Sequence, residues 1–147
     1  MSTSSSFKEE QVLSPVVVNI FSMFPLLFTI YLAKRNLSRA KKNLYYILAA
    51  GISILLLLIE IATYFLNGVL STWAFVLHML CYVLGFSLTP IVPLQIVFYL
   101  GYSKLSVGKK VLVTIPIYAN IALSALSIQT GWFFVISTNN IYLRGPY

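Results

Sequence analysis

The chain has 147 residues, 59% of them hydrophobic and 9% charged, with a formal net charge of +7. Soluble domains are usually about 45–50% apolar and about 25% charged, so this composition excludes an ordinary soluble domain and indicates a multi-spanning membrane protein. The basic residues fall in short connectors between apolar runs; that distribution argues for a topological role and against nucleic-acid binding.

Residues 1–13 are polar and serine-rich and lack the basic start of a signal peptide, so they read as an extracellular N-terminus ahead of a retained span. Ser14 and Pro15 suit an N-cap and a first helical position. The first span is predicted from about Pro15 to Ala33, with Pro25 as a kink that frees the Phe21 carbonyl. Lys34, Arg35, Arg39, Lys41 and Lys42 then form a basic connector.

The second span, about Leu44 to Leu66, ends at Asn67-Gly68, a good helix stop. The third runs from about Trp73 to Gly101, with Thr72 as its N-cap. At 29 residues it would be roughly 43 Å long as a straight helix, against a hydrocarbon core of about 30 Å. Pro90 and Pro93 therefore predict a kink or hinge that releases the carbonyls of Phe86 and Thr89. Lys104, Lys109 and Lys110 make a second basic connector, and the fourth span covers about Val111 to Thr130.

Eight of the ten Lys and Arg residues lie in the two connectors. The positive-inside rule places both in the cytoplasm, so the N-terminus, the 67–72 turn and the C-terminus are expected outside. The expected fold class is an all-α integral membrane protein, a four-helix bundle over residues 14–130. Residues 131–147 are expected to form a short extracellular β-hairpin, with Trp132–Ile136 and Ile141–Leu143 as strands and Thr138-Asn-Asn140 as the turn. An isolated hairpin is marginal in water, so it is expected to rest on the bundle mouth. The chain then stops at Arg144-Gly-Pro-Tyr147 without a closing charged segment and reads as truncated.

Helices in a membrane meet through small and polar residues. Such stripes occur in every span: Pro15, Asn19, Ser22, Thr29 and Ala33; Ala49, Ser53, Glu60 and Tyr64; His78, Cys81, Gly85 and Thr89; and Pro116, Asn120, Ser124, Ser127 and Gly131. Glu60 and His78 each lie nine positions from Val69, so an antiparallel pair sets them at matching depth. If the stripes converge, Asn19, Glu60, His78, Asn120 and Ser124 line one polar pocket in the outer half.

The Glu60–His78 pair fits a ligand or pH-sensing site, and equally a single hydrogen bond that fastens the two helices together. Proton transport is disfavoured, because no acid or base continues the path inward. Glu60, His78 and Cys81 make too thin a ligand set for a metal site. With Cys81 the only cysteine there is no disulfide, and Cys81 is most simply a small buried residue. No catalytic set is present: neither a Ser–His–Asp arrangement, nor paired carboxylates, nor a phosphate loop, nor HExxH. No enzyme activity and no cofactor are expected of this stretch.

The second half carries a family pattern. Leu84-Gly-Phe-Ser-Leu-Thr-Pro-Ile-Val-Pro-Leu94 precedes Pro116-Ile-Tyr-Ala-Asn-Ile-Ala-Leu-Ser-Ala-Leu-Ser127, then Thr130-Gly, an aromatic strand, and Asn139-Asn-Ile-Tyr-Leu-Arg-Gly-Pro-Tyr147. This resembles the N-terminal seven-transmembrane sensor region of bacterial diguanylate cyclases (GGDEF proteins), and a related region of some histidine kinases. The pattern covers about residues 84–147; the first two helices match only in length and character. The resemblance implies a sensory input region in the bacterial cytoplasmic membrane, controlling a cytoplasmic output that this chain does not contain. Three further helices would complete it. Expected partners are the lipid bilayer, a small extracellular ligand, and the missing helices or a partner subunit, with a homodimer as one form. Two other readings stand beside it: a small transporter or channel subunit, and a stand-alone membrane interaction protein.

Overall fold

A computed structural model describes residues 3–35, 40–95 and 106–146. Its elements are α1 (Thr3–Arg35), α2 (Ala40–Leu66), α3 (Thr72–Leu88), a further helical segment at 91–95, α4 (Val107–Thr130), β1 (Phe134–Ile136) and β2 (Tyr142–Arg144). Among the described residues, four helices are long and apolar enough to cross a membrane. The chain is an all-α multi-pass membrane fold with a two-stranded sheet at its C-terminus.

The spans follow the hydropathy, but several helix ends do not. α1 begins at Thr3, well before the Ser14–Pro15 start that the sequence suggests, and Pro15 lies inside the helix. Phe7-Lys-Glu-Glu-Gln-Val-Leu13 is rich in good helix formers, and Pro15 forfeits only the one bond to the Gln11 carbonyl. The N-cap of α3 is Ser71, in extended conformation, one residue earlier than Thr72. α4 starts at Val107 and so takes Lys109 and Lys110 into its first turn. It ends at Gly131, whose φ of 68° is a left-handed conformation that glycine adopts without penalty, and whose N–H donates to the Ser127 carbonyl at 2.9 Å.

The predicted break in the third span is present. α3 stops at Leu88, Thr89 and Pro90 form a turn, and the helix resumes at residue 91. Residues 96–101, the expected inner end of that span, lie outside the described residues.

α1 packs along α2, α2 along α3 and α3 along α4, so the helices stand in a row in chain order, and among the described residues α1 and α4 do not pack substantially on each other. Small residues allow the close approach: Ala50 and Ala74 are buried, and Gly85 of α3 lies beside Ile59 of α2. In each apolar window at most 11% of residues are buried, which leaves most of every helix for lipid or for further protein.

This arrangement corrects the expectation of one converging interior. With α2 and α3 between α1 and α4, Asn19 and Asn120 do not meet across a shared pocket. Part of the polar stripe on α1 faces outward because its hydroxyls bond to their own helix. Ser22 Oγ donates to the Val18 carbonyl and Thr29 Oγ1 to the Pro25 carbonyl, each at 2.8 Å. Among the described residues of α2 the buried positions are Ala50 and Thr63, and Glu60 is exposed.

Candidate functional site

The β-hairpin pairs Phe134 with Arg144, Val135 with Leu143 and Ile136 with Tyr142, antiparallel. β1 is shorter than the expected Trp132–Ile136, and β2 is shifted by one residue from the expected Ile141–Leu143. Ser127 Oγ, fully buried at the end of α4, accepts the N–H groups of Phe133 at 2.9 Å and Phe134 at 3.1 Å. One hydroxyl thus fixes the entry of the hairpin onto the helix.

Phe134 is 1% exposed and stacks on Tyr82 (5.5 Å) and Phe86 (5.8 Å) of α3. Tyr142 stacks on Tyr82 at 4.5 Å with an interplanar angle of 14°. Phe133 adds a tilted contact to Phe86 at 5.6 Å. The hairpin therefore lies against the flank of α3, over more than one helical turn, and is more than a cover over its end.

The turn of the hairpin makes the polar connection. Asn140 has φ 56°, a left-handed conformation that asparagine tolerates. Its Nδ2 donates to the Leu66 carbonyl at 2.8 Å and to the Val69 carbonyl at 3.0 Å. Its own carbonyl accepts the Gly68 N–H at 2.8 Å. In return, Asn67 Oδ1 accepts the Tyr142 N–H at 3.1 Å. These bonds satisfy carbonyls that the end of α2 leaves open.

Asn140 Oδ1 lies 2.8 Å from His78 Nδ1. Because Nδ2 is committed to two carbonyls, Oδ1 can only accept, so His78 Nδ1 carries the hydrogen. His78 is 0% exposed, and its Nε2 has no partner among the described residues. The predicted pairing of His78 with Glu60 is thus replaced. The histidine turns toward the hairpin, and the bond that fastens this end of the helices runs from α3 to the C-terminal turn.

Glu60 occupies a different place. It lines a groove of about 270 Å³ between α2 and α3, together with Thr63, Cys81, Tyr82, Gly85 and Phe86. Tyr64 Oη donates to Glu60 Oε1 at a long 3.4 Å. Thr63 Oγ1 donates to the Glu60 carbonyl at 2.7 Å. Tyr82 and Phe86 belong to both the groove and the aromatic stack, so the hairpin and the groove share a wall.

The remaining predicted site residues spread along the row. Asn19 is buried on α1, and its Nδ2 has no partner among the described residues. Asn120 Nδ2 donates to the Phe86 carbonyl, and Ser124 Oγ donates to the Asn120 carbonyl at 2.6 Å. The Phe86 carbonyl is the one that Pro90 deprives of its helical donor, so Asn120 repairs the break of α3 from the neighbouring helix. Among the described residues no group of three His, Cys, Asp or Glu side chains could hold a metal ion.

Sequence reasoning passed over Asn140, Tyr82, Phe134 and Tyr142 as site residues, and treated Ser127 as helix packing alone. Comparison with protein-family models, with curated proteins and with solved structures finds no match to this chain.

Proposed function

We propose that the chain is a membrane-embedded sensory input region of a bacterial signal-transduction protein, whose output, a diguanylate cyclase or histidine kinase, lies in the cytoplasm beyond the stretch present here. The observation that carries this reading is the contact of Asn140 with His78. It ties a hairpin at one membrane face to a buried histidine on α3, the same helix that breaks at Pro90. A ligand that moves the hairpin would move α3 with it, and the turn at Thr89–Pro90 is the natural hinge. The spaced Pro, Asn and Ser residues of α4 and the Tyr142-Leu-Arg-Gly-Pro146 run support the same assignment by resemblance.

The charge distribution supports an orientation with the hairpin outside. Eight of ten basic residues lie in the two connectors at the opposite face. Cysteine introduced at Thr138 should be labelled from outside the cell and cysteine at Ser38 should not. Equal labelling would contradict the orientation.

Sequencing the gene past Tyr147 tests the assignment. Three further spans followed by a GGDEF or kinase domain are expected. In that longer protein, Asn140→Gly should shift the basal output while Asn139→Gly leaves it in place. An output indifferent to both, or a downstream region of unrelated architecture, would contradict the proposal.

A further inference from the structure

Glu60 is the one acid within the four apolar spans, since the other two acidic residues of the chain are Glu9 and Glu10. It stands six residues before the end of α2, roughly 9 Å along the helix, at a depth where an ionised carboxylate is costly without a partner. Among the described residues no lysine or arginine pairs with it, and its side chain accepts one long hydrogen bond, from Tyr64. The carboxylate instead borders the α2–α3 groove, whose other walls combine hydroxyls, at Thr63 and Thr89, with apolar surface, at Leu56, Ile59 and Phe86.

We infer that this groove binds a small amphipathic ammonium ion, with the cationic head on the Glu60 carboxylate and the apolar body against Leu56, Ile59 and Phe86. Three features select that chemistry. Among the described residues the carboxyl group has no cationic partner. Glu60 and Thr63 stand toward the turn end of the groove, and Leu56, Ile59 and Phe86 supply its apolar surface. At about 270 Å³ the groove lies just below the range of about 300–1,000 Å³ typical of drug-sized ligands, which suits one ring or a short alkyl chain. The ammonium can come from a free amine or from the headgroup of an aminophospholipid. Because Tyr82 and Phe86 also carry the stacked hairpin, occupancy of the groove bears on the same aromatic wall. The inference deepens the sensory reading by naming its ligand class. Binding and output are measured separately, so either can fail without the other.

The test uses the full chain in phosphatidylglycerol nanodiscs, whose lipids carry no ammonium, with 4-fluorophenethylammonium as the probe and fluorine NMR line broadening as the readout. Saturable broadening beyond that of empty nanodiscs is expected. Glu60→Gln should weaken binding about 10- to 100-fold, the equivalent of losing a charge-assisted hydrogen bond. Gly85→Leu, which fills the groove beside Ile59 and keeps the carboxylate, should abolish it. The neutral 2-(4-fluorophenyl)ethanol should give only the empty-disc response. Displacement of the probe by phosphatidylethanolamine would assign the site to a lipid headgroup, and no displacement to a free amine; both outcomes support an ammonium site. Equal binding by wild type and Glu60→Gln, equal binding of the neutral probe, or a wild-type response no greater than empty discs would overturn the inference. So would a chain that ignores the probe and forms an oligomer lost in Glu60→Gln, since the counter-ion would then be a basic side chain of another copy.

Discussion

Asn120 Nδ2 of α4 donates to the Phe86 carbonyl of α3, the acceptor that Pro90 leaves without its own helical N–H. A break in one transmembrane helix and a polar residue on the next are therefore one feature. Removing the amide with Asn120→Ala should destabilise the chain by about 0.6–2 kcal/mol, the range found for hydrogen bonds between membrane helices. In a Pro90→Ala background an N–H is available to Phe86 again, and the same substitution should cost less. Unfolding in mixed micelles titrated with SDS gives all four corners of the cycle. An equal cost in both backgrounds would refute the pairing of break and repair.

Ser127→Ala removes the hydroxyl that accepts the N–H groups of Phe133 and Phe134. Two amides at a buried junction lose their acceptor, at a cost of about 1–3 kcal/mol. Hydrogen exchange at those two amides should accelerate, and Ser127→Thr should largely preserve protection. Unchanged exchange in Ser127→Ala would remove this serine from the account of how the hairpin is held.

A methyl group at Gly145 would overlap the backbone carbonyl of Trp132, whereas one at Gly51 meets nothing within 4 Å. Gly145→Ala should therefore open the end of the hairpin at about 1–3 kcal/mol, the usual cost of overpacking. Gly51→Ala should leave SDS unfolding unaltered or slightly improved. Equal effects of the two substitutions would contradict the close approach.

Glu60→Gln should not destabilise the fold. The carboxylate is exposed and holds one long hydrogen bond, and a neutral amide is easier to keep in a bilayer than a charge. An SDS midpoint equal to or above that of wild type is expected. A marked fall would mean that Glu60 has a structural partner, in conflict with its place in an open groove.

The spans and their number were legible because hydropathy reports solvent preference directly, and Pro90 was legible as a break because proline lacks a donor. Polar residues were harder to place. Ser22 and Thr29 look like interior residues by type and spacing, yet each satisfies its hydroxyl on its own helix and can face outward. Glu60 and His78 are equally spaced from Val69 in sequence, but that spacing says nothing about azimuth. His78 turned to the hairpin because Asn140 arrives there from 62 positions along the chain. Nothing local distinguishes Asn140 from Asn139, since turn residues ordinarily face water. The aromatic rings of Tyr82, Phe134 and Tyr142 were equally silent, because in an apolar chain an aromatic residue fits lipid as well as it fits a stack.

The most direct test lies in the single histidine of the chain, which gives a histidine-labelled sample one unambiguous set of ring signals. If the C-terminal hairpin is fastened to α3 through Asn140, the nitrogen-15 spectrum must show a hydrogen on His78 Nδ1. Asn140→Gly, which keeps the left-handed backbone and deletes the amide, must disturb that state. An Nε2–H tautomer in the wild type, or a spectrum that Asn140→Gly leaves unchanged, would contradict the account.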